Sequence, residues 1–192
     1  MKLNKFGKAA ILSPAQIALL FEEGLIKPRD RALFGVCLFT AARINEACTL
    51  LRSDVIGKTG IRDSLIIRKG NTKGKRSTRE IQIHPQLRHY LEVYRSGDTW
   101  RDRPALFPGR HGRGSIHTAS ADQILRDACK LLGIEGVSTH SFRRTCLTKM
   151  SDSGIPLRHI QAISGHKSIA DLQGYLGVTE QQKESAIATL IF

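Results

Sequence analysis

The chain has 192 residues, and 30 Lys and Arg against 17 Asp and Glu leave a formal net charge of +13. That length fits one domain, or one domain with a short appendage, and it buries a core without disulfide staples. No apolar run is long enough to span a bilayer, and no apolar stretch follows the charged opening Met1-Lys2-Leu3-Asn4-Lys5 as a secretory leader requires, so the chain reads as cytoplasmic. The basic residues recur along the chain, densely from Arg68 to Arg79 and from Arg101 to Arg113, which suits a polyanionic partner better than a membrane. Cys37, Cys48, Cys129 and Cys146 form no Cys-x-x-Cys pair, which argues against a metal site and for buried free thiols.

Helix signals dominate. Ser13-Pro14-Ala15-Gln16 supplies an N-cap, a first-turn proline and a capping-box glutamine, and Gly24 stops that helix. Arg29 to Ala41 carries a broad apolar face through Leu33, Phe34, Cys37 and Leu38, and Asn45 to Leu51 continues as a helix with Cys48, Leu50 and Leu51 inward. The period then changes. Leu65-Ile66-Ile67 and Ile81-Gln82-Ile83 are short β-type runs around the basic, glycine-bearing turn from Lys69 to Arg76. They predict an antiparallel hairpin, with a third strand near Val55-Ile56.

Pro85 opens a helix to about Arg95, in which Tyr90 and Tyr94 pack beside Leu87 and Leu91. Arg101 to Gly114 reads as a loop. Ser120 caps a helix through Leu132, His140 to Met150 is another, and Pro156 starts one that ends at Gly165. Ser168-Ile169-Ala170-Asp171 and Thr179-Glu180-Gln181-Gln182 cap the last two, the second an amphipathic tail helix running to Phe192. The expected fold is mostly α with a small antiparallel β-sheet, an α+β domain over residues 13–192 behind an extension of residues 1–12.

Phosphoryl transfer needs a nucleophile in line with phosphorus, cations for the equatorial oxygens and an acid for the leaving oxygen. Arginine suits the oxygens, because its fork bonds two at once and stays charged. Arg143 lies three residues after His140, so on a helix both reach one anion. Its neighbour Arg144 points elsewhere and reads as a DNA-backbone or surface contact. Arg43 lies one turn before Glu46, which either pairs with it locally or orients it. His166 follows Gly165 at a helix junction, and Tyr175 comes nine residues later. A tyrosine acts as nucleophile only where a base or a strongly electropositive pocket removes its proton.

Together, Ala41-Ala42-Arg43-Ile44-Asn45-Glu46, Thr72-Lys73-Gly74-Lys75, His140-Ser141-Phe142-Arg143, Gly165-His166 and Tyr175 stand in an order that resembles the tyrosine recombinase (phage integrase) family. The resemblance runs from about Ser13 to the C-terminus. It implies that Tyr175 attacks the scissile phosphate, leaving a 3′-phosphotyrosine and a free 5′-hydroxyl. It implies that Arg43 and Arg143 bind the non-bridging oxygens, that His140 contacts the phosphate and accepts the tyrosine proton, and that His166 donates to the same phosphate. Lys73 is the implied general acid; Lys69 and Lys75 also lie in or near the turn, but Thr72-Lys73-Gly74 matches the family's usual form best. No metal and no cofactor are implied. The implied partner is double-stranded DNA, bound by a homotetramer that assembles only on DNA from free monomers, in the cytoplasm at the nucleoid.

The sequence departs from the family in two ways. Ala42 stands where glycine is frequent, and only a dozen residues precede the first helix where many members carry a further DNA-clamping domain. The chain is therefore either a compact recombinase or an excised catalytic domain. Two competing readings are relaxation of DNA by a type IB topoisomerase and a non-catalytic DNA-binding regulator on a recombinase scaffold. The nine-residue Gly-His-to-Tyr spacing disfavours the first, and the intact set of reactive residues disfavours the second.

Overall fold

The computed structural model describes residues 9–72, 77–97, 102–176, 183–184 and 187–190. The first helix, α1 (Pro14–Leu19), opens as its sequence predicts. Ser13 Oγ accepts from the Gln16 N–H at 3.2 Å, and the Gln16 side chain accepts from the Ser13 N–H at 3.0 Å. A wider π-type turn, Leu20–Gly24, follows and buries Leu20 and Phe21. The next helix, α2 (Pro28–Thr40), is buried on nearly every side, from Asp30 and Leu33 to Leu38 and Thr40, and is the central rod of the domain.

Around α2 pack α3 (Ile44–Cys48), α4 (Pro85–Ser96) and α6 (Thr139–Asp152). Aromatic rings fasten them. Phe34 of α2 stacks on Phe142 of α6 at 5.2 Å, and Phe21 meets Phe142 edge-on at 6.1 Å and stacks on Tyr90 of α4 at 5.1 Å. Tyr94 is buried with its hydroxyl donating to the Leu106 carbonyl at 2.9 Å, so both tyrosines of α4 are packing residues. A second, smaller cluster joins the far half of α6 (Cys146, Leu147) to Ile160 of α7 (Leu157–Ser164) and Leu172 of α8 (Ile169–Gln173). Full burial of each such leucine or isoleucine contributes about 1.5–3 kcal/mol.

The sheet is the hairpin of β1 (Ser64–Ile67) and β2 (Arg79–Gln82), antiparallel, with Ser64 opposite Gln82 and Ile67 opposite Arg79. Among the described residues it has two strands, so the third strand expected near Val55-Ile56 is absent. A 3-10 turn, Arg52–Asp54, takes its place, and Gly57 N–H bonds the Gly60 carbonyl at 2.8 Å, so the chain reverses at once into a single Ile56–Ile61 bridge.

Three other boundaries moved. The run from Asn45 stops at Cys48 because Leu50 and Leu51 pair instead with the stretch around Ala105 and Leu106. That pairing also orders part of the expected loop from Arg101 to Gly114. Helix α5 (Thr118–Leu131) is capped by His117 rather than Ser120, the His117 Nδ1 accepting from the Ala119 N–H at 3.3 Å. The tail helix expected from Thr179 lies largely outside the described residues. The domain is mostly helical with one small antiparallel sheet, and no described helix is long and apolar enough to cross a membrane.

Candidate active site

Arg143 sits where the two hydrophobic clusters meet, one residue after Phe142 on one side and one turn before Cys146 and Leu147 on the other. It is 1% exposed, the largest side chain buried so completely among the described residues. Its guanidinium donates through Nη1 to the Ala41 carbonyl and through Nη2 to the Ser164 carbonyl at 3.0 Å. Ala41 holds that acceptor at the end of α2 in the left-handed region, φ 51°, which costs an alanine roughly 1 kcal/mol. Burial, then repulsion from Arg43, holds the Arg143 pKa down to about 10, against the attraction of Glu46 and Tyr175; the group remains a cation at neutral pH.

Tyr175 closes the site from the turn after α8. Its ring lies 4.9 Å from the His166 ring, and the Arg143 guanidinium carbon lies 5.8 Å from its centroid. His166 is buried. Its Nε2 is 3.1 Å from Arg143 Nη2 and its Nδ1 is 2.7 Å from Ser164 Oγ. A guanidinium only donates, so Nε2 is the acceptor, which assigns the proton to Nδ1 and makes Ser164 Oγ its acceptor. Burial and the charges of Arg143 and Arg43 hold His166 down to about 4, so the imidazole is neutral.

The third component is a chain of charges. Arg43, the residue before α3, is held by Glu46 one turn on: Oε1 accepts from the guanidinium Nη1 at 3.1 Å and Oε2 from the Arg43 N–H at 2.9 Å. Oε2 also accepts from Arg79 Nη2 at 3.0 Å. Sequence reasoning did not single out Arg79, the first residue of β2. The two-residue strand period that buries Ile81 and Ile83 puts Arg79 on the same inner face, so a signal was present. Its guanidinium packs on Gly165, where an added Cβ would stand 1.9 Å from Nη1, and Gly165 itself has φ +66°. The left-handed end of α7 thus needs a glycine twice over, and it delivers His166 beside Arg143. A groove of about 530 Å³ opens here, lined by Thr78, Arg79, Arg158, His166 and Lys167 among others.

Arg43, Arg143, His166 and Tyr175 therefore come together. His140 is itself exposed, in the otherwise buried first turn of α6 and one turn before Arg143. Lys73 and Lys75 lie outside the described residues; Lys69 is exposed at the start of the hairpin turn. Arg144 is not the surface contact its sequence suggested. It is half-buried, donating through Nη1 to the Ala9 carbonyl and through Nε to the Tyr175 carbonyl at 3.3 Å. Residues 9–12, just before α1, are tied down as well, with the Leu12 N–H on Thr145 Oγ1 at 2.8 Å and the Ala10 N–H on the Gly136 carbonyl at 3.2 Å. All four cysteines are buried free thiols.

The model of the phage integrase family matches residues 12–182. The chain belongs to the phage integrase family. Among relatives, it is 32% identical over 165 residues to the tyrosine recombinase XerD of Mycobacterium leprae, a match covering 83% of this chain and 51% of that protein. Among solved structures, it superimposes on the XerA recombinase with a TM-score of 0.78 at 25% identity, over 95% of this chain and 64% of that one. It also shares its fold with the XerH site-specific recombinase bound to a palindromic difH substrate, with a TM-score of 0.74 at 19% identity, over 98% of this chain and 55% of that one. The chain spans about half the length of the curated relatives it matches.

Proposed function

We propose that this phage integrase family member is the catalytic domain, residues 13–192, of an enzyme that recombines double-stranded DNA at specific sites. The observation that carries the reading is one cluster: a tyrosine ring against a buried arginine and a neutral histidine, with two further arginines sharing a single buried carboxylate. Three guanidinium groups against one carboxylate leave an excess of positive charge in a largely buried place, which favours an anion such as a phosphate.

On this reading Tyr175 Oη attacks phosphorus and displaces the 5′-oxygen, so the strand is held as a 3′-phosphotyrosine and no bond energy is lost to water. Arg43 and Arg143 stabilise the non-bridging oxygens in the transition state. His140, at the exposed rim, takes the tyrosine proton, and Lys73 gives one to the departing oxygen. His166 exchanges its Arg143 contact for a bond to the phosphate, whose charge raises its proton affinity and lets Nε2 donate. Rejoining reverses these steps with a 5′-hydroxyl from another duplex. Tetramers assembled on DNA from free monomers, through the C-terminal tail, supply that second duplex. The proteins it resembles are named as recombinases, one of them solved on its DNA substrate.

The test compares a plasmid carrying paired sites with a supercoiled plasmid carrying none. Exchange between paired sites, with little relaxation of the bare plasmid, is the expected result. Relaxation without site preference would replace this reading with that of a topoisomerase.

A further inference from the structure

Arg79 has no part in the family motifs that the sequence displays, yet it is one of three arginines around the Glu46 carboxylate. Its side chain is 7% exposed, and its Nε is buried without a partner among the described residues. A guanidinium in that position is tolerated where it is paired, as Arg79 is with Glu46. It ties three parts of the site together: β2, on which it stands; Glu46 on α3; and the Gly165-His166 turn, on which it packs.

The bonds of Glu46 show what this contact does. Oε2 is occupied twice, by Arg79 Nη2 and by the Arg43 backbone N–H, so Oε1 alone meets the Arg43 guanidinium. Arg43 keeps a side chain 24% exposed, with nitrogens left over for another acceptor. Without Arg79, the buried carboxylate keeps one cationic partner, and Oε2, still held by the Arg43 N–H, has a lone pair free to accept from the Arg43 guanidinium as well. A bidentate Arg43–Glu46 pair neutralises the cation and points its fork inward.

We infer that Arg79 is a positioning residue for strand cleavage: by holding Oε2 of Glu46 it limits that carboxylate to one bond with the Arg43 guanidinium and keeps Arg43 available to a phosphate. The inference rests on the recombinase reading proposed above. Arg79 makes one bond from one nitrogen to Glu46, so a lysine's point charge suffices to replace it, and a neutral glutamine does not.

The test is single-turnover cleavage of a nicked duplex at saturating DNA, with DNA affinity and thermal midpoint measured alongside. Arg79→Gln is expected to slow cleavage about tenfold or more, as misplaced phosphate ligands do, with little change in affinity, whereas Arg79→Lys stays within about threefold of the parent. In a Glu46→Gln background, where no carboxylate competes for Arg43, Arg79→Gln is expected to add little. A merely structural role would move the thermal midpoint and leave the cleavage rate well below that midpoint unchanged. Cleavage by Arg79→Gln at the parent rate overturns the inference, as does Arg79→Lys being as slow as Arg79→Gln, or losses that multiply in the double variant. If Arg79→Gln does not fold, Arg79→Lys decides alone: a rate within about threefold supports the inference, and a loss of about tenfold overturns it. Absence of the covalent adduct in the parent chain overturns the recombinase reading, and this inference with it; a parent that cleaves confines any failure to Arg79.

Discussion

Gly165→Ala tests the packing of the site at its tightest point. Two costs are separable. The left-handed backbone, φ +66°, costs an alanine about 1 kcal/mol. The new Cβ would then stand 1.9 Å from Arg79 Nη1 and 2.9 Å from its Cδ, so the arginine has to leave. Leaving breaks a charge-assisted bond to the 1%-exposed Glu46, worth about 1.5–3 kcal/mol, although Arg43 still covers part of that carboxylate. The sum is about 3 kcal/mol, or roughly 10 °C in thermal midpoint for a domain of this size. Gly133→Ala is the control: its φ is +64° and a Cβ there meets nothing within 4 Å, so only the backbone cost of about 1 kcal/mol remains. Urea unfolding of the two variants beside the parent gives the difference directly. Equal destabilisation by Gly165→Ala and Gly133→Ala would refute the close packing of Arg79 on this turn.

Arg143→Ala should lower strand cleavage by at least about 100-fold, the scale of losing one oxyanion donor, while DNA affinity, spread over many cations, changes little. It should also lower the thermal midpoint, since the Ala41 and Ser164 carbonyls lose their buried donor; near-parental cleavage would remove the residue from the mechanism. The folded-state pKa of His166 lies below its ordinary 6.5, at about 4, so the unfolded chain takes up the proton first. Stability from this group is therefore complete above about pH 6.5 and lost as pH falls through about 4, and urea midpoints across that window should decline less in His166→Gln. DNA binding should weaken steeply with salt, roughly a thousandfold between about 50 and 200 mM for about six phosphate contacts; a flat salt titration would contradict a backbone-dominated interface.

Much of this site was legible in the chain because its parts are punctuated locally. The Ser13 capping box, the glycine ending α7 and the Ser168 cap each have a short-range physical signature, and each appears where it was expected. Arg43, Arg143 and His166 come from three distant segments whose motifs are separately recognisable, and the structure brings their side chains near one another; their catalytic part is the reading proposed above. Arg79 was missed because strand alternation was read through isoleucines alone, although the same period puts the arginine inside. Arg144 was misjudged for a related reason. Adjacent arginines on a helix suggest one inward and one outward, but the chain before α1 and the turn after α8 cover the second with carbonyls. The third strand failed because alternation over two residues carries no information on whether Gly57 and Gly60 reverse the chain. Tertiary cover of this kind is not encoded in any local window.

The most direct measurement is covalent capture. A nicked duplex carrying a candidate site, whose short fragment escapes once the strand is cut, traps the 3′-phosphotyrosine on the protein. The parent chain is expected to form a protein–DNA adduct at Tyr175, and Tyr175→Phe to form none. That variant keeps the ring that lies 4.9 Å from His166, so the fold should stand while only the nucleophile is lost. An adduct that persists in Tyr175→Phe, or that maps to another residue, would contradict the account.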